Sequence, residues 1–311
     1  MYSLNDFSLR LLHPRYVLTW FGILLLFCLV QMPYPWLVLL GDKLGRFSGL
    51  FLKRRVSIIK QNLELCFPDK DKSQIESMVT RNLSSLGIAL FETGIAWFWS
   101  DKRIRAVFEV TGSDNFNDVY GRNKGVLIIG IHSMSLELGG RVMGLCFPVN
   151  AMYRPHNNKA MEYIQTRCRS RSGSGMIDRK NLKFMVSELK RGQAIWFAPD
   201  QDFGTKGTVF APFFAVAKAS TSKGVSTIAK LSQSPILTAT MIRNNAKGKK
   251  PYELIIGKGI DEFSCGDDLI DAGRLNQIIE TEIMRAPDQY LWAHRRFKTR
   301  PPGENSLYKK I

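Results

Sequence analysis

Val126-Leu127-Ile128-Ile129-Gly130-Ile131-His132-Ser133-Met134-Ser135-Leu136-Glu137 joins an apolar, β-branched run to a histidine and a carboxylate five residues apart. Turn-like Gly125 precedes the run, which predicts a buried strand over 126–131. Met134, Leu136, Leu138, Val142, Met143 and Leu145 predict a helix near 134–146, so His132 falls at the strand-to-helix junction. Inside a regular helix, residues i and i+5 lie about 140° apart and do not meet. With His132 in the junction and Glu137 on the first turns, the carboxylate is expected to reach back to the imidazole. Such a pair suits a general base: Glu137 fixes one ring nitrogen's tautomer while the other takes a proton from a hydroxyl. The spacing alone fits a satisfied junction histidine equally well, so the surroundings decide.

Outward from this stretch, strands and helices alternate. The pattern predicts a strand at 149–153, a helix near 157–168, a helix at 181–191 ended by Gly192, and a strand at 193–198. A helix near 223–232, strands at 235–242 and 252–257, and a helix at 273–285 follow. This texture indicates an α/β fold, an αβα domain with a mostly parallel sheet. Ligands of such sheets bind beyond the carboxyl ends of the strands. His132, Arg154 and Asp200 each follow a predicted strand, which favours the catalytic reading of His132. On the N-terminal side, residues 43–65 read as helical. Ser73-Gln74-Ile75-Glu76 reads as a capping box opening a long helix toward Trp97-Phe98-Trp99, an aromatic cluster that fits core or membrane interface.

Lysine and arginine total 44 against 27 aspartates and glutamates, a net +17. Anionic partners are implied: nucleic acid, lipid headgroups or an acidic protein. Five cysteines (Cys28, Cys66, Cys146, Cys168, Cys265) without CxxC spacing point away from a disulfide framework or zinc site. Tyr16 to Met32 is an apolar run, followed by Pro33-Tyr34-Pro35 and Trp36-Leu37-Val38-Leu39-Leu40. This predicts an uncleaved anchor over 1–40, a transmembrane helix at about 16–36, with residues 41–311 as one folded domain. Lys43, Arg46, Lys53, Arg54, Arg55 and Lys60 follow it, which places that domain on the cytoplasmic side.

Four further constellations carry charge. Arg154, held extended by Pro155, suits an anionic ligand or a structural acid equally. Arg167, Arg169 and Arg171 beside Ser172-Gly173-Ser174-Gly175 suggest anion binding. Asp200 and Asp202 close a strand; without a partner histidine or third acid they suit orienting a substrate or an arginine better than holding a metal. His294-Arg295-Arg296-Phe297-Lys298-Thr299-Arg300 is basic and aromatic, but no nucleic-acid motif accompanies it, so a membrane or substrate contact is preferred.

Together these residues resemble the late acyltransferases of lipid A biosynthesis. The resemblance runs through Leu12-His13-Pro14-Arg15-Tyr16, Asn62-Leu63-Glu64-Leu65-Cys66-Phe67-Pro68 and Glu92-Thr93-Gly94-Ile95-Ala96-Trp97-Phe98-Trp99. It continues in the His132–Glu137 motif, Tyr153-Arg154-Pro155, Ala198-Pro199-Asp200-Gln201-Asp202 and His294–Pro301. Arg154–Asn158 and Asp200–Asp202 resemble the palmitoleoyl-transferring branch more than the lauroyl-transferring one. Arg171-Ser172-Gly173-Ser174-Gly175 departs from the family's usual Asn-Lys after Arg-Ser.

The resemblance implies a glycerolphosphate-acyltransferase-like fold and a cofactor-free reaction at the inner membrane. An acyl carrier protein thioester donates the acyl chain to a hydroxyacyl chain of Kdo-bearing lipid IVA. His132 and Glu137 would be catalytic; Arg154, Arg169, Arg171, Asp200 and Asp202 would bind substrate. Backbone N–H groups after His132, or an arginine, would hold the oxyanion. Lauroyl transfer, glycerol-phosphate acylation, where a Phe-Pro-Glu-Gly-like element would stand at Ala198–Gln201, and a non-catalytic membrane-tethered binding protein are the alternatives.

Overall fold

A computed structural model describes residues 6–244 and 248–309. Its helices are α1 (Val17–Leu29), α2 (Tyr34–Ser48), α3 (Lys53–Cys66), α4 (Lys72–Phe98), α5 (Asp101–Val107), α6 (Ser113–Tyr120), α7 (Leu136–Cys146), α8 (Lys159–Arg169), α9 (Leu182–Lys190), α10 (Gly224–Ser232) and α11 (Asp268–Met284). The strands are β1 (Phe108–Thr111), β2 (Val126–Ile129), β3 (Val149–Tyr153), β4 (Met176–Asp178), β5 (Ala194–Phe197), β6 (Thr208–Phe213), β7 (Val216–Ser222), β8 (Ile236–Arg243) and β9 (Tyr252–Ile256). Seven strands form one sheet in the order β1-β9-β8-β2-β5-β3-β4. All neighbours run parallel except β8 and β9, which are antiparallel.

The central strand β2 is fully buried, and its alternating side chains divide the core in two. Leu127 and Ile129 join a cluster with α9, α10 and α11, whereas Val126 and Ile128 join one with α6 and α7. This is the expected three-layer αβα arrangement. Its β-branched residues stiffen the pleated backbone, and burial on both faces explains why the run is continuously apolar. The sheet is wider than the periodicity indicates, because β1 and β4 are short and part-polar. The hairpin β6–β7 interrupts its first strand with Pro212 and a register shift.

The N-terminal segment differs from expectation. Among the described residues, no helix is long and apolar enough to cross a membrane. The expected span over 16–36 is two helices, α1 and α2, separated by a turn before Pro33. The boundary at residue 40 falls inside α2, which packs tightly on α4. A Cβ on Gly45 would stand 2.0 Å from the Leu83 carbonyl oxygen, and one on Gly87 would stand 2.1 Å from that of Gly41. Trp99 Nε1 donates to the Val30 carbonyl at 2.6 Å, and both residues are buried, so the aromatic cluster is core here. The capping box also lies two residues earlier than expected. Asp71 accepts from the Gln74 amide at 2.9 Å and Gln74 returns the bond at 3.1 Å.

Candidate active site

His132 stands beyond the carboxyl end of β2, where a cavity of about 710 Å³ opens between α7 and the sheet. Gly130 permits the turn: a Cβ there would lie 2.3 Å from the Trp196 indole. Asp200 arrives from the neighbouring strand β5. Its Oδ1 lies 2.6 Å from His132 Nδ1, and its Oδ2 accepts the His132 backbone N–H at 2.9 Å. The carboxylate is wholly buried, whereas the imidazole is a quarter exposed, toward the cavity it lines. Burial pulls the imidazole pKa down, but the charge and hydrogen bond of Asp200 outweigh it and hold the pKa above the ordinary histidine value. Burial likewise pushes Asp200 up, and His132 brings it below the usual carboxylate range.

Glu137 does not orient this histidine. Its carboxylate accepts from Arg169 Nε at 3.1 Å, from Arg169 Nη2, and from Trp97 Nε1 at 3.2 Å. Burial raises its pKa and Arg169 more than reverses that. The expected imidazole partner is therefore replaced by an acid 68 residues along the chain, because parallel strand pairing brings β5 beside β2. Sequence spacing favoured the nearer carboxylate; a long-range register decided for the farther one.

The other expected site residues separate. Arg154 and Arg169 line the cavity. Arg171 lies outside it and donates to the Trp97 carbonyl at 3.0 Å. Asp202 also lies outside it, accepting from Thr299 N at 2.7 Å and Thr299 Oγ1 at 2.8 Å. The C-terminal basic run is mainly a clasp. His294 Nε2 accepts from Asp202 N at 3.2 Å, and buried Arg296 donates to the Ser220 carbonyl at 2.6 Å. The expected membrane or substrate contact of that run gives way to these internal bonds. Several of the amides that follow the histidine are already engaged. The N–H groups of Ser133, Met134 and Leu136 bond to carbonyls of Ile131, Gln289 and Ser133, and that of His132 bonds to Asp200.

Behind the loop lies a buried network that sequence reasoning missed. Ser135 Oγ donates to Glu92 at 3.1 Å; Glu92 also receives Arg243 Nε at 2.8 Å and the Tyr252 hydroxyl at 2.9 Å. Its sequence signals are an acid in the apolar stretch of α4 and the place of Glu92 at the head of one segment that carries the family resemblance. Cys168 is no nucleophile, because burial pushes its thiol to about 11. Among the described residues, no group of three or more His, Cys, Asp or Glu is placed to hold a metal ion.

A buried acid paired with an imidazole at the edge of a largely apolar cavity, with no cysteine among the described residues that line it, is an arrangement able to take a proton from a hydroxyl. The sequence pattern of bacterial lipid A biosynthesis acyltransferases matches residues 4–299, and the chain belongs to that family. It is 53% identical to the lipid A biosynthesis palmitoleoyltransferase of Escherichia coli over 99% of this chain and 100% of the relative. Identity to the lauroyltransferase of the same organism is 44%, over 99% of this chain and 100% of that relative. The myristoyltransferase stands at 24%, over 98% and 94%. The chain is an acyltransferase of lipid A biosynthesis.

Proposed function

We propose that the enzyme transfers palmitoleate from an acyl carrier protein thioester to the hydroxyl of a hydroxyacyl chain on Kdo-bearing lipid IVA. The observation that carries the chemistry is the engagement of His132 Nδ1 by Asp200, which leaves Nε2 for substrate. Nε2 takes the acceptor's hydroxyl proton as its oxygen attacks the thioester carbon. The tetrahedral intermediate collapses, the C–S bond breaks, and the imidazolium returns the proton to the departing sulfur. Proton removal of this kind contributes typically 10²–10⁴-fold. Arg169, whose charge acts on His132, is the cation assigned to the oxyanion, and Glu137 with Trp97 fixes its position. The greater identity to the palmitoleoyltransferase supports the C16 donor over C12. Each CH₂ buried contributes about 0.8 kcal/mol until the cavity floor is met.

The N-terminal helices are read as embedded in the inner membrane without either crossing it. α1 spans about 20 Å against a hydrocarbon core of about 30 Å. Leu18, Phe21, Trp36 and Phe51 are more than 60% exposed. Arg10, Arg15, Lys43, Lys53 and Arg54 beside them suit anionic headgroups. Asn158 bonds Thr19 at 2.8 Å, so the apolar helix abuts α8, the wall that carries Arg169. Competition between palmitoleoyl and lauroyl carrier-protein thioesters at equal concentration, with the Kdo-bearing acceptor, tests the reading. Palmitoleate is expected to dominate. Dominant laurate would overturn the branch, and transfer to glycerol phosphate instead would overturn the acceptor.

A further inference from the structure

We propose that Arg154, Arg179 and Lys180 form a phosphate-binding site at the open rim of the cavity. Two adjacent parallel strands build it. Tyr153 of β3 and Asp178 of β4 are register partners, and the Arg179 N–H donates to the Tyr153 carbonyl at 2.9 Å. Arg154 and Arg179 therefore leave the sheet side by side, with strands about 4.8 Å apart. Lys180 follows, and all three are exposed and line the cavity. Such crowding of like charge is unfavourable unless something neutralises it.

No described residue does so. Among the described residues, none of the three enters an ion pair or a side-chain hydrogen bond, and each nearby acid is engaged elsewhere. Glu137 holds Arg169 and Trp97. Glu162 accepts from the Tyr153 hydroxyl at 2.9 Å and the His156 N–H at 2.6 Å. Asp178 turns back to the Lys180 backbone N–H at 2.9 Å. By contrast, Arg169 and Arg171, the densest arginines in the sequence, are satisfied internally. Two guanidinium forks and one ammonium facing a common opening suit the several oxygens of a phosphate.

The ligand class rests on the proposed transfer, in which both substrates carry phosphate: a monoester on the acceptor disaccharide and a diester in the donor's pantetheine arm. The two sources are separable. Binding of a bisphosphorylated acylated glucosamine disaccharide and of an acyl-phosphopantetheine thioester is measured separately, without turnover, on the full chain in detergent micelles. Each ligand is paired with its dephosphorylated counterpart. The Arg179→Gln/Lys180→Gln variant is expected to weaken one phosphorylated ligand about tenfold and to leave its counterpart unchanged. Lys183→Gln on α9, outside the cavity lining, serves as control with wild-type binding. Selective loss of the disaccharide assigns the site to the acceptor, and selective loss of the thioester assigns it to the donor. Unchanged binding of both, or equal losses with and without phosphate, would overturn the site. A wild type that binds the phosphorylated ligand yet transfers no acyl chain would sink the transfer reading and leave this site standing.

Discussion

Asp200 and Asp202 are the same residue type, separated only by Gln201, and they do different work. Asp200 meets an imidazole that gains and loses a proton. Asp202 meets the Thr299 hydroxyl and amide, which do not titrate near neutral pH. A carboxylate can tune a base only if its partner is a base. Asp202 fastens two segments and acts on the peripheral His294 rather than on His132, so substitutions at the two positions should fall into separate categories of effect.

The largest effect belongs to Asp200→Asn. In the proposed transfer the neutral imidazole is the working form, so the rate should rise with pH through the pKa of His132. Asp200 raises that pKa; its removal leaves burial and the Arg169 charge, which both lower it, and the acid limb of kcat moves to lower pH. The rate itself should fall by about 10²–10⁴-fold, comparable with His132→Ala. A variant with unchanged midpoint and near-normal kcat would remove Asp200 from the mechanism.

Asp202→Ala should reverse the pattern. Three hydrogen bonds, two from Thr299 and one from the Gly204 N–H, are lost, at a cost of about 1–3 kcal/mol, and Tm drops by several degrees while the folded fraction keeps most of its kcat. Full thermal stability with abolished turnover would return Asp202 to the site. Glu137→Gln lies between the two. It leaves the half-buried Arg169 cation without its counter-charge, so kcat should fall. The pH midpoint should move less than for Asp200→Asn, because Arg169 acts on His132 more weakly than Asp200 does. A shift as large as that of Asp200→Asn would make Glu137 the orienter after all.

The legible parts of this molecule are those set by local pattern. β3 appears at 149–153 as its alternation predicts, and β2, β5, α9 and α10 begin or end within about two residues of expectation. His132 stands at its junction, and the cavity opens at the carboxyl edge where such sheets bind ligands. What stayed hidden depends on long-range register. No spacing shows that β5 flanks β2, so the partner of His132 was assigned to Glu137, its neighbour in sequence. The arginines at 167–171 stand out in the sequence by density, whereas Arg179 and Lys180 lie in a turn with no such signal. Charge density marks where cations are, and only the fold shows which of them are already paired. The N-terminal run departs from expectation for a related reason: its composition is apolar throughout, but the chain turns at Pro33 and begins a second helix there.

The smallest expected effect tests how Glu137 is held. Trp97 Nε1 is the lesser of its two supports, at 3.2 Å, beside the charged pairing with Arg169. Trp97→Phe keeps an aromatic ring in the core and removes only the donor. One such bond to a charged acceptor is worth about 1.5–3 kcal/mol when fully made, and the long distance together with the retained Arg169 should reduce that to a several-fold loss of kcat. Packing changes would produce a loss of similar size, so the single variant does not separate the causes. A double-mutant cycle does. If the bond to Glu137 is the route, Trp97→Phe should have little further effect on kcat in a Glu137→Ala background. An undiminished loss there would mean that Trp97 acts through the ring's contacts, and that Arg169 alone positions the carboxylate.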